Sequence, residues 1–231
     1  MEATKTKLVD YRVKNAVAWI ELTDPPANTY TYEMMRDLDD AILQARFDEN
    51  VHVIVLRGAG EKFFCAGANI NMLKTVNPTE HTPKLVIAAL NGHTVGGGLE
   101  IAMAADLRIA RRGAGKIGLP EVTLGVLPGT GGTQRLARLI NKSTAIELMT
   151  TGETFDFERA KDLGIVNQIW ETGSNDEFLE KVQKYAEQFC PPHRASKAVG
   201  RIKRSVQSGS EVAFEQALAI ERELQQQLFQ S

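Results

Sequence analysis

Short apolar runs alternate with stretches of helical periodicity over the first half of the chain. The segments Val17–Leu22 and 51–56 have the nearly unbroken apolar character of buried strands. Between them, apolar residues recur every three or four positions from Met34 to Ala45, which predicts an amphipathic helix with Thr31 as its N-cap.

The same alternation continues to about residue 110. Leu85–Leu90 predicts a third strand, a glycine run opens a helix at about Gly97–Ala104, and 106–110 predicts another strand. Strand–helix–strand units of this kind favour parallel pairing through right-handed crossovers. The first part of the chain is therefore predicted to be an α/β body.

Helical patterns dominate after Thr130. The predicted helices cover 133–140, 143–150, 157–163, 174–189, 194–207 and 211–228, with one strand at 165–170. Gly152 and Gly164 stand where a left-handed helix C-cap belongs, and Ser174 with Glu177 predicts a capping box. The C-terminal part is therefore predicted to be helical, with no internal repeat.

Composition and charge narrow the class of protein. The 231 residues are 43% hydrophobic and 24% charged, and no apolar run approaches the ~20 residues needed to cross a bilayer. The first residues lack the apolar stretch of a secretory signal, so we expect a cytoplasmic protein. The net charge of −2 argues against non-specific nucleic-acid binding as the main activity. Cys65, Cys190 and four scattered histidines have no metal-ligand spacing, so no metal site is expected.

Three glycine-containing segments, 64–70, 91–100 and 118–121, adjoin predicted strand ends, where α/β proteins place ligands. In the second segment, three glycines lead into a helix whose first N–H groups lack intrahelical partners. Such donors suit an oxygen that gains negative charge during a reaction. Glu100 falls one turn along, near the same face, where a carboxylate is useful if it moves protons.

Glu121 directly follows Pro120 on a separate loop, and with Glu100 it could flank one water or one substrate carbon. Surface glutamates are common, so the residues alone leave this acid/base pair open. The GTGG run at 129–132 is weak evidence for phosphate binding. Neither a dinucleotide-binding fingerprint nor a Walker loop is present.

Together these segments resemble the enoyl-CoA hydratase/isomerase (crotonase) superfamily. The matching stretches are FFCAGANI at 63–70, PKLVIAALNGHTVGGGLEIAMAADLRIA at 83–110, GLPEVTLGVLPGTGGTQRL at 118–136 and TGETFDFERAKDLGIVNQI at 151–169. The resemblance implies a spiral of repeated β-β-α units over residues 1–170 and a helical trimerisation region over 171–231. It also implies a homotrimer or a hexamer made of two trimers.

The resemblance implies a role for each matching residue. The backbone N–H groups of Ala68 and Gly97 would form the oxyanion hole for an acyl-CoA thioester. Glu121 would face the C2 proton, and Glu100 would activate water. The residues expected to contact coenzyme A or the acyl chain are Ala27, Lys62, Ala66, Asn69, Ile70 and Leu119. Coenzyme A is part of the substrate, so no separate cofactor is expected.

The presence of both glutamates favours a hydratase. A double-bond isomerase or an acyl-CoA decarboxylase of the same superfamily, which would need only one of them, is the alternative. A less favoured alternative is an RNA-binding relative of the hydratases. Two groups of basic residues suggest it: the first is Lys197, Arg201 and Arg204, and the second is Arg108, Arg111, Arg112 and Lys116.

The chain departs from the family in three places. Asn69 replaces the usual Asp, and the stretch between Met72 and Pro83 is shorter than in typical members. The chain also ends at Ser231, before the segment that the family usually carries. These differences lead to the hypothesis that residues are missing near 78–81 and after Ser231. A true deletion near 78–81 would instead mean a more open acyl pocket.

Overall fold

The computed structural model of the protein describes residues 7–29, 31–67 and 82–230. The strands are β1 (Val9–Lys14), β2 (Val17–Leu22), β3 (Val53–Gly58), β4 (Phe63–Ala66), β5 (Leu85–Leu90), β6 (His93–Val95), β7 (Leu107–Arg111), β8 (Lys116–Gly118), β9 (Thr154–Asp156) and β10 (Gln168–Trp170). The helices are α1 (Tyr32–Phe47), α2 (Gly97–Ala104), α3 (Gly132–Leu139), α4 (Lys142–Thr151), α5 (Phe157–Asp162), α6 (Asn175–Glu187), α7 (Ser196–Gly209) and α8 (Phe214–Phe229), with a 3-10 helix at Glu121–Leu124.

The larger sheet has six strands in the order β1-β2-β3-β5-β7-β10. Its first two strands pair antiparallel, and all the other pairs are parallel, as the strand–helix–strand rhythm predicts. Both faces are apolar, because Ile54 and Leu56 pack on the side of α1 while Val53 and Val55 pack on the side of α6. An unbroken apolar run is the sequence pattern of such a doubly covered strand.

A second sheet of four short strands, in the order β4-β6-β8-β9, carries the segments that approach the candidate site. Strands β4, β6 and β8 each follow a strand of the larger sheet along the chain, and they pair parallel with one another. From β3 to β8, successive strands therefore alternate between the two sheets. This arrangement of strand pairs and helices agrees with the fold class that the resemblance implies, including the helices at the C-terminal end.

The predicted elements lie close to the observed ones. Helix α1 has Thr31 as its N-cap, whose hydroxyl accepts the Met34 N–H at 3.2 Å. Strands β2 and β5 and helix α2 have the predicted bounds. The strand expected at 165–170 is shorter, since only Gln168–Trp170 pairs with β7 while Ile165 and Val166 pack in the core.

Ser174 caps α6 as predicted, its Oγ accepting the Glu177 N–H at 3.1 Å. The returning bond of the predicted capping box differs by one residue, because the Glu177 carboxylate accepts the Gly173 N–H at 2.6 Å.

Within the described residues, none of the helices is both long and apolar enough to span a membrane. The same part of the chain contains no group of three or more His, Cys, Asp and Glu side chains arranged to hold a metal ion. The hypothesis of missing residues near 78–81 concerns a segment that lies outside the described residues.

Candidate active site

Helix α2 begins at the centre of the site because its glycines allow it to pack directly on β4. A Cβ atom on Gly98 would lie only 2.0 Å from the Cys65 carbonyl oxygen, so only glycine fits there. Gly96, the residue before the helix, has φ +60° and ψ −129°, a conformation that favours glycine. Gly97 is the first helical residue, and its N–H therefore has no intrahelical acceptor.

The turn after β4 meets the start of α2. A Cβ atom on Gly96 would lie 3.3 Å from Cα of Gly67, which itself has φ +84°. The expected oxyanion-hole residue Gly97 thus stands next to this junction, and its expected partner Ala68 lies outside the described residues. The close approach of the two segments is the arrangement that a shared oxygen site requires.

Glu121 lies against the same glycines. The Gly96 N–H donates to the Gly118 carbonyl at 2.9 Å, which joins the start of α2 to the segment that leads to Glu121. A Cβ atom on Gly96 would lie 3.0 Å from Glu121 Oε1. Burial raises the pKa of Glu121 to about 7, although its own backbone N–H opposes the rise, and the nearby charge of Glu100 adds to it. Glu121 Oε2 is buried and accepts no hydrogen bond from the described residues.

Glu100 has a different environment. Its side chain is buried, with 3% of the residue exposed, and its Oε1 accepts backbone N–H groups from Thr130 and Gly132, each at 2.7 Å. These donors belong to the turn that opens α3, the GTGG run of the sequence. A Cβ atom on Gly132 would lie 2.8 Å from Glu100 Oε1 and 2.6 Å from Cβ of Pro128, so a side chain there would displace the carboxylate or the turn.

Two carboxylates with contrasting surroundings therefore lie near the start of α2. One is held by two amide donors, and the other has a raised pKa and a buried oxygen without a donor among the described residues. Such a pair is suited to proton transfer in both directions at one substrate.

The residues expected to contact coenzyme A lie partly together. The Ala66 N–H donates to the Ala27 carbonyl at 3.0 Å, so these two adjoin at the end of β4. Lys62 is exposed just before β4, with its ammonium 5.3 Å from the centre of the Phe63 ring. Leu119 is 3% exposed and packs in the main core next to the site. Asn69 and Ile70 lie outside the described residues.

The sequence did not indicate Thr130 and Gly132, whose N–H groups hold Glu100. The GTGG run was weak evidence for phosphate binding, whereas the acceptor in the structure is a side-chain carboxylate. The sequence feature that could have indicated this contact is the pair of glycines at the start of a helix, because backbone N–H groups there are free to bind an anion.

One of the two basic groups does not form a continuous basic surface. Arg108 is 4% exposed, and its guanidinium donates to the carbonyls of Ala105 and Ile165 at 2.7 and 2.6 Å. Arg112 forms a 2.7 Å ion pair with Glu158. These contacts weaken the RNA-binding alternative.

Comparison with known proteins gives consistent matches over most of the chain. The family described as enoyl-CoA hydratase/isomerase matches residues 12–231. YngF of Bacillus subtilis, named as an enoyl-CoA hydratase/isomerase, is 37% identical over 235 residues, covering 94% of this chain and 88% of YngF. The short-chain-enoyl-CoA hydratase of Clostridium acetobutylicum is 35% identical over 224 residues, covering 90% of this chain and 84% of that protein.

Among solved structures, an enoyl-CoA hydratase from Geobacillus kaustophilus superposes with a TM-score of 0.90 at 39% identity. The superposition covers 99% of this chain and 90% of that one.

Proposed function

We propose that this chain, which belongs to the enoyl-CoA hydratase/isomerase family, is a hydratase that reversibly adds water, syn, to the double bond of a 2-enoyl-CoA thioester. The observation that carries the proposal is the pair of carboxylates beside the N-terminus of α2, the buried Glu100 and the partly buried Glu121. The two relatives named above as hydratases or hydratase/isomerases support it.

The proposed reaction uses each group at a stated atom. The thioester oxygen accepts the N–H groups of Gly97 and Ala68, which stabilise it as the enolate develops, an effect commonly worth about 3 kcal/mol per donor. Water adds its oxygen to C3 while Glu100 takes its proton, and Glu121 gives a proton to C2. The product is a 3-hydroxyacyl thioester, and the reverse sequence removes water. A carboxyl with a pKa near 7 is suited to give and take this proton.

Membership of the family is also compatible with an isomerase or a decarboxylase. Either enzyme would need the oxyanion hole but only one carboxylate that transfers protons. The hydrogen bonds from Thr130 and Gly132 favour the hydratase, because they orient Glu100 as a second carboxylate rather than leave it as a surface group.

We further infer a cytoplasmic enzyme that assembles as a homotrimer or a hexamer, with an acyl-CoA thioester as its ligand and no separate cofactor.

Two half-reactions separate the roles of the glutamates. Hydration of crotonyl-CoA needs both, whereas exchange of the C2 protons of butyryl-CoA with D2O needs only the oxyanion hole and Glu121. We expect Glu100→Gln and Glu121→Gln each to lower hydration by about 100-fold or more. Glu100→Gln should retain C2 exchange within about tenfold of wild type, and Glu121→Gln should lose it.

Binding of acetoacetyl-CoA by each variant controls for folding. A wild type that exchanges C2 protons and shifts the double bond of a 3-enoyl-CoA, but adds no water, would support the isomerase instead. Hydration that survives Glu100→Gln would contradict the role given to Glu100.

A further inference from the structure

The turn that holds Glu100 is itself held by a side chain. Thr130 donates its N–H to Glu100 Oε1, and its carbonyl accepts Nη1 of Arg135 at 2.7 Å. Arg135 lies one turn into α3, and its own N–H donates to the Gly131 carbonyl at 2.8 Å. The Thr130 residue is therefore bound on one side by a buried carboxylate and on the other by a guanidinium.

The guanidinium lies directly on the turn. A Cβ atom on Gly131 would lie 2.1 Å from Nη1 of Arg135, and Gly131 has φ +100°, so a side chain at this position would meet both strain and a clash. Glycine at this position allows Arg135 to fold back over the backbone and reach the Thr130 carbonyl. The cation thus lies against the Thr130 carbonyl, on the other side of the peptide from the N–H group that binds Glu100.

The position of Glu100 depends on both bonds to the turn. They end on the same oxygen, Oε1, whereas Oε2 accepts no hydrogen bond from the described residues. Two bonds to one oxygen fix the orientation of the carboxyl plane and leave the second oxygen directed away from the turn. A shift of the turn by about 1 Å would move this second oxygen by a similar distance, and displacements of this size can cost about 100-fold in rate.

We propose that Arg135 is a positioning residue for hydration: by holding the Thr130 carbonyl, it fixes the two N–H donors that aim Glu100 at the attacking water. The proposal rests on the hydratase function above. Arg135 touches neither the substrate nor the reacting atoms and would act only through Glu100. The GTGG run would then also have a role in catalysis, because its N–H groups hold that carboxylate. The charge of Arg135 also polarises the Thr130 peptide, which strengthens the hydrogen bond that its N–H donates.

The test compares Arg135→Met with Arg135→Lys and with Arg138→Met as a matched control. Arg138 lies on the same helix, is exposed, and bonds to Gln134 and Glu211 on the surface. We expect Arg135→Met to lower kcat for crotonyl-CoA hydration by about 10- to 100-fold with KM changed by less than about threefold. Arg135→Lys should recover part of the loss, and Arg138→Met should match wild type.

Two further readouts separate positioning from general damage and from failure of the proposed function. C2 exchange of butyryl-CoA depends on Glu121, so Arg135→Met should leave it near the wild-type rate while hydration falls. Hydrogen exchange at the Thr130 and Gly132 amides needs no activity, and it should become at least about tenfold faster in Arg135→Met than in Arg138→Met.

An Arg135→Met protein with the hydration rate and amide protection of Arg138→Met would overturn the positioning role. So would a variant in which hydration and C2 exchange fall together. A wild type without hydratase activity would instead reject the proposed function, and amide protection alone would then decide whether Arg135 holds the turn.

Discussion

Glu100 and Glu121 differ in their surroundings, and this difference sets the pH dependence of the proposed reaction. Glu100 is bound by two amides, while Glu121 is partly buried with a pKa of about 7. The active form of the pair carries one proton, because one carboxylate receives a proton from water while the other delivers one to C2. The apparent pKa belongs to the coupled pair.

We expect kcat/KM for hydration to fall about tenfold per pH unit above about pH 7, as the Glu121 proton is lost. Adding water to the thioester changes no net proton count, so the equilibrium constant is independent of pH. Dehydration of 3-hydroxybutyryl-CoA must therefore show the same alkaline limb. Initial rates of hydration and of dehydration between pH 5 and pH 9 measure the pH dependence of kcat/KM in each direction. A hydration rate that stays level to pH 9 would contradict the role of Glu121 as the proton donor.

At the scale of elements, a buried ion pair attaches α7 to the larger sheet. Lys203 Nζ lies 2.9 Å from Asp106 Oδ2 and donates to the Lys84 carbonyl at 3.0 Å. Asp106 Oδ2 also accepts the Val86 N–H at 2.7 Å, at the start of β5. A Cβ atom on Gly200 would lie 2.3 Å from the Pro83 carbonyl oxygen, so α7 contacts this part of the chain without space for a side chain.

Lys203→Met should lower the free energy of unfolding by about 3 kcal/mol, because it leaves the largely buried Asp106 without its ion-pair partner. Arg204→Met, at an exposed position on the same helix, should change it by less than about 0.5 kcal/mol. Urea unfolding followed by circular dichroism at a fixed protein concentration measures both. Equal stability of the two variants would mean that the ion pair contributes little to the attachment of α7.

The sequence was most informative about the long elements. The apolar periodicity of α1 and the branched, apolar run of β5 identify these elements because each buries many side chains in a regular pattern. The second sheet was not found by periodicity, since β6, β8 and β9 have three residues each, too few to show alternation. Only the resemblance to a family predicted paired strands there.

The sequence also predicted the candidate site only in part, namely where local spacing relates its residues. Glu100 and Gly97 could be related through helical spacing, but the approach of Glu121 to Gly96 depends on tertiary packing that no local pattern encodes. The bonds from Thr130 and Gly132 to Glu100 join residues about thirty positions apart, and the fold alone brings them together.

On the scale of the whole molecule, large apolar side chains are exposed on the two C-terminal helices. Ile202 and Val206 on α7 are 64% and 66% exposed, and Phe214 and Phe229 at the two ends of α8 are 74% and 81% exposed. Apolar surface of this kind favours association, so it supports the proposed homotrimer or hexamer, which remains a prediction.

The proposed activity of this chain is the addition of water to a conjugated acyl-CoA thioester. The most direct measurement incubates the wild-type protein with crotonyl-CoA, follows the absorbance of the conjugated thioester, and identifies the product by mass. We expect the absorbance to fall to an equilibrium level and the product to be heavier by one water. Unchanged absorbance and mass, in protein shown to bind acetoacetyl-CoA, would contradict hydration of this substrate. If 2-enoyl-CoA thioesters with longer or branched acyl chains also stayed unchanged, the claim itself would be wrong.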